Sequence, residues 1–122
     1  MQILPEAVAS VAEDAAKSLD CAFKKSLNGD VNLWIARCHQ DLAQLWTDGQ
    51  LWMVSEVHDT PSGWVLHIVA CSGVYDDGTL LKEIEDWARG IGCVRSVFSG
   101  RKGWARRILD YQVTKITMEK GL

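Results

Sequence analysis

The run Val65-Leu66-His67-Ile68-Val69-Ala70 constrains this chain more than any other stretch. It is apolar and β-branched and barely alternates, so it reads as a central strand covered on both faces. A strand of that kind needs helices on either side, and the flanking sequence supplies them. Residues 6–27 place Val8, Val11, Ala12, Ala15, Leu19, Ala22, Phe23 and Leu27 at helical spacing. Pro5 suits the first turn of that helix and Asn28-Gly29 its end. Asp30 or Asn32 can cap a second helix, with apolar positions Trp34, Ile35, Cys38, Leu42, Leu45 and Trp46 and a stop at Asp48-Gly49.

The period then changes. Residues 51–57 and 64–71 are β-branched and aromatic, and residues 58–63 between them are dense in turn formers. The pair predicts an antiparallel hairpin with a longish loop. After a loop at 73–78, Asp77 or Thr79 can cap a third helix. Leu80, Leu81, Ile84, Trp87, Ala88 and Ile91 form its apolar face, and Gly90 and Gly92 mark its end. Residues 94–98 read as a strand, so a βαβ unit spans 64–98 and should cross over right-handed. A short helix at 103–109 and a last strand at 111–119 complete the reading. The expectation is a single α/β domain over residues 1–122, with a helical first third at 1–49 and the sheet in 50–122. It should have a mixed sheet of about four to six strands and about four helices.

Bulk properties narrow the function. A chain of 122 residues buries roughly two thirds of its unfolded surface, enough for a core without staples. A net charge of -3 argues against a dedicated nucleic-acid binder. Cys21, Cys38, Cys71 and Cys93 form no C-x-x-C pair, which argues against a zinc site, and the last three sit among apolar neighbours. Six tryptophans read mainly as core, with a partner surface as the functional alternative. No apolar run approaches the roughly 18 residues of a membrane span, and the first five residues lead straight into a helix rather than a secretory leader. The expected compartment is a reducing cytoplasm.

Several segments carry a family resemblance. They are Gln50-Leu51-Trp52-Met53-Val54, Leu66-His67-Ile68-Val69, Glu85-Asp86-Trp87-Ala88-Arg89-Gly90-Ile91-Gly92-Cys93, residues 100–109 beginning Gly100-Arg101-Lys102-Gly103-Trp104, and Thr117-Met118-Glu119-Lys120. Over about residues 30–120 the chain resembles the GNAT acyltransferase superfamily, seen from its second helix onward. Within that superfamily it resembles a set of small GNAT-like proteins of tailed phages and prophages. The resemblance implies a GNAT-like fold, a bacterial host and a gene set rich in phage structural and morphogenesis proteins. Two departures stand out. The amino-terminal strand has no clear counterpart before Glu6, and one strand of the three-strand meander looks missing or shortened.

In that family a loop of the type Q/R-x-x-G-x-G/A follows the central strand, and its amides hold the pyrophosphate of acyl-CoA. The matching stretch here opens Cys71-Ser72-Gly73 and runs through Asp76-Asp77-Gly78. Ser72, Gly73 and Gly78 are its only candidate cofactor contacts, with Arg101 and Arg106 as candidate cations. The glycine spacing is wrong, and Asp76 and Asp77 lie where phosphate would. Like charges about 4 Å apart repel by about 1 kcal/mol in water and by more in a dry site. A transferase also needs a base and an acid. Glu56, His58, His67 and Tyr111 qualify by type. Three of them also have a structural reading: a core histidine at 67, a turn at His58-Asp59 and a packing aromatic at Tyr111. Cys71 lacks an adjacent base. No P-loop, zincin, G-x-S-x-G or EF-hand pattern is present.

The leading expectation is therefore a degenerate GNAT-fold protein of phage origin, acting without a cofactor as a non-catalytic binding or virion assembly component. Its partner would be protein, either phage structural proteins or a second copy, met through Arg101, Lys102, Trp104, Arg106 and Arg107. It would sit in the host cytoplasm or in the virion, and neither membrane nor nucleic acid is an expected partner. The alternative is an acetyl-CoA-dependent N-acyltransferase with an atypical cofactor loop.

Overall fold

The computed structural model describes residues 1–24, 29–75, 77–100, 102–108, 110–114, 118 and 120–122. Its elements run β1 (Gln2–Ile3), a 3-10 turn (Pro5–Ala7), α1 (Val8–Lys24), α2 (Val31–His39), β2 (Gln44–Thr47), β3 (Leu51–Thr60), β4 (Gly63–Gly73), α3 (Thr79–Ile91), β5 (Cys93–Phe98) and a second 3-10 turn (Lys102–Arg106). The strands form one five-stranded sheet in the order β1-β2-β3-β4-β5. Every pairing is antiparallel except β4 with β5, which is parallel because α3 carries the chain back across the sheet.

Two apolar layers sandwich the sheet. On one face Ala15, Leu19 and Phe23 of α1 and Val31, Trp34 and Cys38 of α2 bury Leu45, Val54, Val69 and Ala70. On the other, Leu80, Leu81, Ile84 and Ala88 of α3, together with Ile108, bury Trp46, Met53, Leu66, Ile68 and Cys71. The central strand is therefore covered on both faces, as its unbroken apolar run requires. Asp30 caps α2 by accepting from the Leu33 amide at 2.9 Å. Gly92 closes α3 in the left-handed conformation.

Four sequence expectations need correction. First, α2 ends at His39 rather than at residue 48. Asp41 turns the chain at φ 61, and Leu45 and Trp46 then lie in β2, buried on opposite faces. Adjacent apolar residues fit a helical stripe on paper, but a strand between β1 and β3 buries both. Second, β1 supplies the amino-terminal strand that seemed absent, and β2 supplies the short meander strand. Two residues of backbone pairing leave little compositional trace. Third, His58 and Asp59 are strand residues, because β3 runs on to Thr60 and the hairpin closes through Pro61-Ser62. Fourth, no strand forms among the described residues of 111–119. Val113 and Met118 are exposed there. The short helix expected at 103–109 is the 3-10 turn Lys102–Arg106, and Leu27 and Leu109 lie outside the described residues.

Candidate functional site

A β-bulge creates the site. Val54 pairs with Ala70 and Ser55 with Ile68, so Val69 is an extra residue on β4. As a result Val69 and Ala70 both face α1 and α2, between Ile68 and Cys71 on the α3 face. The parallel ladder with β5 runs out at the same point, its last bonds being Ile68 with Phe98 and the Ser99 amide on the Ile68 carbonyl at 3.0 Å. Beyond Ile68, β4 runs on to Gly73, while β5 has ended at Phe98 and the chain leads on to the second 3-10 turn. The fork between them opens on a cleft of about 310 Å³ lined by Cys21, Cys71, Ser72, Gly73, Gly103, Trp104 and Arg107.

The candidate loop residues close in on themselves. Ser72 Oγ donates to the Ser18 carbonyl at 2.6 Å, tying β4 to α1. Gly73, at φ 117, lies so near β3 that a Cβ would meet the Gln50 carbonyl oxygen at 2.0 Å. Gly78 is the N-cap of α3 at φ 79, and the Tyr75 hydroxyl lies over it. The Asp77 carboxylate accepts from the Thr79 amide at 3.0 Å, so an anion already sits on the first turn of α3. The surroundings are acidic. Burial raises the Tyr75 phenol above its usual range first of all, and Asp110, Glu85, Cys71 and Asp77 add to the rise. The fork itself is packed with rings: Trp104 meets Tyr75 edge-on at 5.5 Å and Phe98 at 5.9 Å, and Phe98 meets Tyr111 at 6.4 Å.

On the α1/α2 face, three of the candidate bases come together. Glu56 and His67 are directly paired across β3 and β4, with His58 two residues along the same face. Glu56 Oε1 lies 2.7 Å from His58 Nε2 and 3.7 Å from His67 Nδ1, while Glu56 Oε2 meets Arg37 Nη2 at 3.3 Å. His67 Nε2 is 2.7 Å from Ser99 Oγ. Side-chain exposure falls from 49% at His58 to 19% at His67 and 13% at Glu56. Burial lowers the His67 pKa from 6.5, against an opposing pull from Glu56. His67 is thus half-buried and hydrogen-bonded, as a structural histidine would be, yet it also faces a carboxylate and a second imidazole. Arg37, which also lies over the Trp34 ring, and Ser99 are members of this cluster that residue type alone does not reveal.

Tyr111 is on the other face. Its hydroxyl donates to Glu85 Oε2 at 2.6 Å and meets Ser96 Oγ at 2.5 Å, and burial, then Glu85, raises its pKa well above the phenol range. The sheet therefore separates Tyr111 from Glu56 and His58. Cys71 is buried, and desolvation pushes its thiol up to about 12, away from the reactive thiolate form. In the basic segment, Arg106 and Arg107 are exposed and Trp104 is half-buried in the ring cluster, with the Arg107 guanidinium 5.6 Å from its ring centre. Arg101 and the Lys102 side chain lie outside the described residues.

A five-stranded mixed sheet with an antiparallel meander, a parallel β4-β5 pair joined by a helix, and a fork beyond a β4 bulge is a GNAT-like fold. Among solved structures, the crystal structure of a Trypanosoma brucei acetyltransferase aligns with 100% of this chain and 97% of its own, at a TM-score of 0.57 and 13% identity. At that identity the likeness is one of fold. No family model matches the sequence, and comparison with curated proteins found no match. Among the described residues no helix is long and apolar enough to cross a membrane.

Proposed function

We propose that this chain uses a GNAT-like scaffold to bind a protein partner rather than to transfer an acyl group from coenzyme A. The observation that carries the reading is the state of the α3 N-terminus. Asp77 places a carboxylate on the Thr79 amide, Tyr75 covers Gly78, and Asp110 and Glu85 add negative charge nearby. A diphosphate brought there would lose its hydration and meet like charge, with the Thr79 amide already engaged. Tyr111 lies across the sheet from Glu56 and His58, so these three candidates would not act as one base–acid set.

The partner surface is the segment around the second 3-10 turn, where Arg106 and Arg107 are exposed beside Trp104. Arg101 and Lys102 belong to it by sequence. Trp and Arg side by side are the residue types that carry interface energy. The resemblance of several segments to small tailed-phage proteins directs the search to phage structural proteins or a second copy of the chain. The protein would then be found in the host cytoplasm or the virion.

A second reading, acetyl-CoA-dependent N-acyl transfer, is favoured by one observation: Glu56 and His58 form a 2.7 Å pair, and His67 beside them reaches Ser99 at the fork. Calorimetry separates the two. The binding reading predicts no acetyl-CoA affinity tighter than about 100 µM. Tighter binding that weakens in Arg106→Ala would establish the transferase reading instead. Mass spectrometry of purified particles tests the virion assignment, which fails if the chain is absent from them.

A further inference from the structure

We propose that Glu56, His58 and His67 form a binding site for one divalent transition-metal ion, with zinc the best match. The inference goes beyond the partner-binding reading and does not depend on it. The three side chains offer two imidazole nitrogens and a carboxylate oxygen, all within 4.8 Å of one another. A tetrahedral zinc site with bonds of about 2.0–2.1 Å separates its ligand atoms by about 3.3 Å. The Glu56 Oε1 distances of 2.7 Å to His58 and 3.7 Å to His67 bracket that value.

The hydrogen bonds outside the cluster fix the ligand atoms. His67 Nε2 is engaged by Ser99 Oγ, which leaves Nδ1 directed at the cluster. Nδ1 stands 3.7 Å from Glu56 Oε1, longer than a good hydrogen bond. In the tautomer with its proton on Nε2, the ring donates to Ser99 Oγ and turns the Nδ1 lone pair toward Glu56. A cation between that lone pair and the carboxylate oxygen would be bound by both. Glu56 Oε2 is held by Arg37 Nη2, so Oε1 is the oxygen turned to the histidines. Ligands oriented by a hydroxyl and a guanidinium match the outer shell that metal-binding histidines and carboxylates require. Nitrogen and oxygen donors suit zinc, cobalt and nickel better than calcium or magnesium.

The site is also independent of the cysteines. The spacing of Cys21, Cys38, Cys71 and Cys93 argues against thiolate zinc, but that argument does not reach two histidines and a glutamate brought together by strand register. Three protein ligands leave a fourth position open, and the half-exposed His58 makes it reachable from solvent.

The test is titration of the full-length protein with Co²⁺ and then Zn²⁺, under a non-thiol reductant. The proposal expects one equivalent of Co²⁺ with visible d–d bands, no thiolate-to-cobalt charge-transfer band, and displacement by Zn²⁺. His58→Ala, at an exposed position that leaves the core intact, should abolish the bands, and Glu56→Gln should do the same. Ser99→Ala should weaken binding about tenfold, because it frees the His67 ring rather than removing a ligand. Circular dichroism confirms that each variant is folded. His39→Ala should change nothing. Absence of stoichiometric Co²⁺ binding overturns the proposal. So does binding that survives His58→Ala unchanged or carries a thiolate band.

Discussion

The hydroxyl of Tyr75 lies over Gly78, so close that a Cβ on Gly78 would meet it at 2.8 Å. Gly78 also holds φ 79 as the N-cap of α3, a conformation that disfavours any side chain. Two costs therefore fall on Gly78→Ala, backbone strain and displacement of the Tyr75 ring. The expected destabilisation is about 1–3 kcal/mol by urea unfolding. In the Tyr75→Ala background the same change should cost less, because only the strain remains. Equal costs in both backgrounds would show that the ring does not cover the helix end.

Trp46 and Ser55 are both buried, and the indole N–H donates to Ser55 Oγ at 3.0 Å. The serine hydroxyl passes the chain on to Gln44 Oε1 at 2.9 Å. Ser55→Ala would leave a buried indole N–H with no acceptor, at a cost of about 1–3 kcal/mol. The denaturation midpoint should fall while its slope stays constant. Trp46→Phe combined with Ser55→Ala should cost less than the sum of the two single changes, since donor and acceptor leave together.

His67 couples stability to pH. Its folded pKa lies below 6.5, chiefly through burial, with Glu56 opposing and His58 adding to the fall. Between the folded value and the unfolded value the unfolded chain binds more protons, so stability must rise with pH. The contribution is therefore complete above about pH 6.5 and is lost as pH falls toward and through the folded pKa. Metal-free protein should show a positive stability slope just below neutrality that flattens in His67→Gln. A slope of the same size in the variant would assign the effect to other groups.

Much of the fold was legible because long periodic elements announce themselves. The unbroken run at 65–70 marked the strand covered on both faces, and the stripe from Leu80 to Ala88 marked α3. What stayed hidden depended on pairing rather than pattern. β1 is two residues of backbone hydrogen bonding, and β2 presents Leu45 and Trp46 as neighbours that also suit a helix. The site follows the same rule. Ser72, Gly73 and Gly78 could be located by alignment to a loop, and the charge of Asp77 could be weighed, but the Tyr75 ring over Gly78 is a tertiary fact. The meeting of Glu56 with His67 was within reach. A two-residue turn at Pro61-Ser62 sets Thr60 opposite Gly63 and so Glu56 opposite His67, whereas a longer loop conceals the pair. Arg37 and Ser99 come from elements remote in sequence, and no local signal points to them.

Amide chemical shifts of the first turn of α3 test the account most directly. Acetyl-CoA added to about 1 mM, far above the affinity a working cofactor site would need, should leave the Thr79, Leu80 and Leu81 resonances in place. Saturable shifts at those three amides, matched by a moving Tyr75 ring, would mean that the helix end opens to a diphosphate. The partner-binding reading would then give way to catalysis.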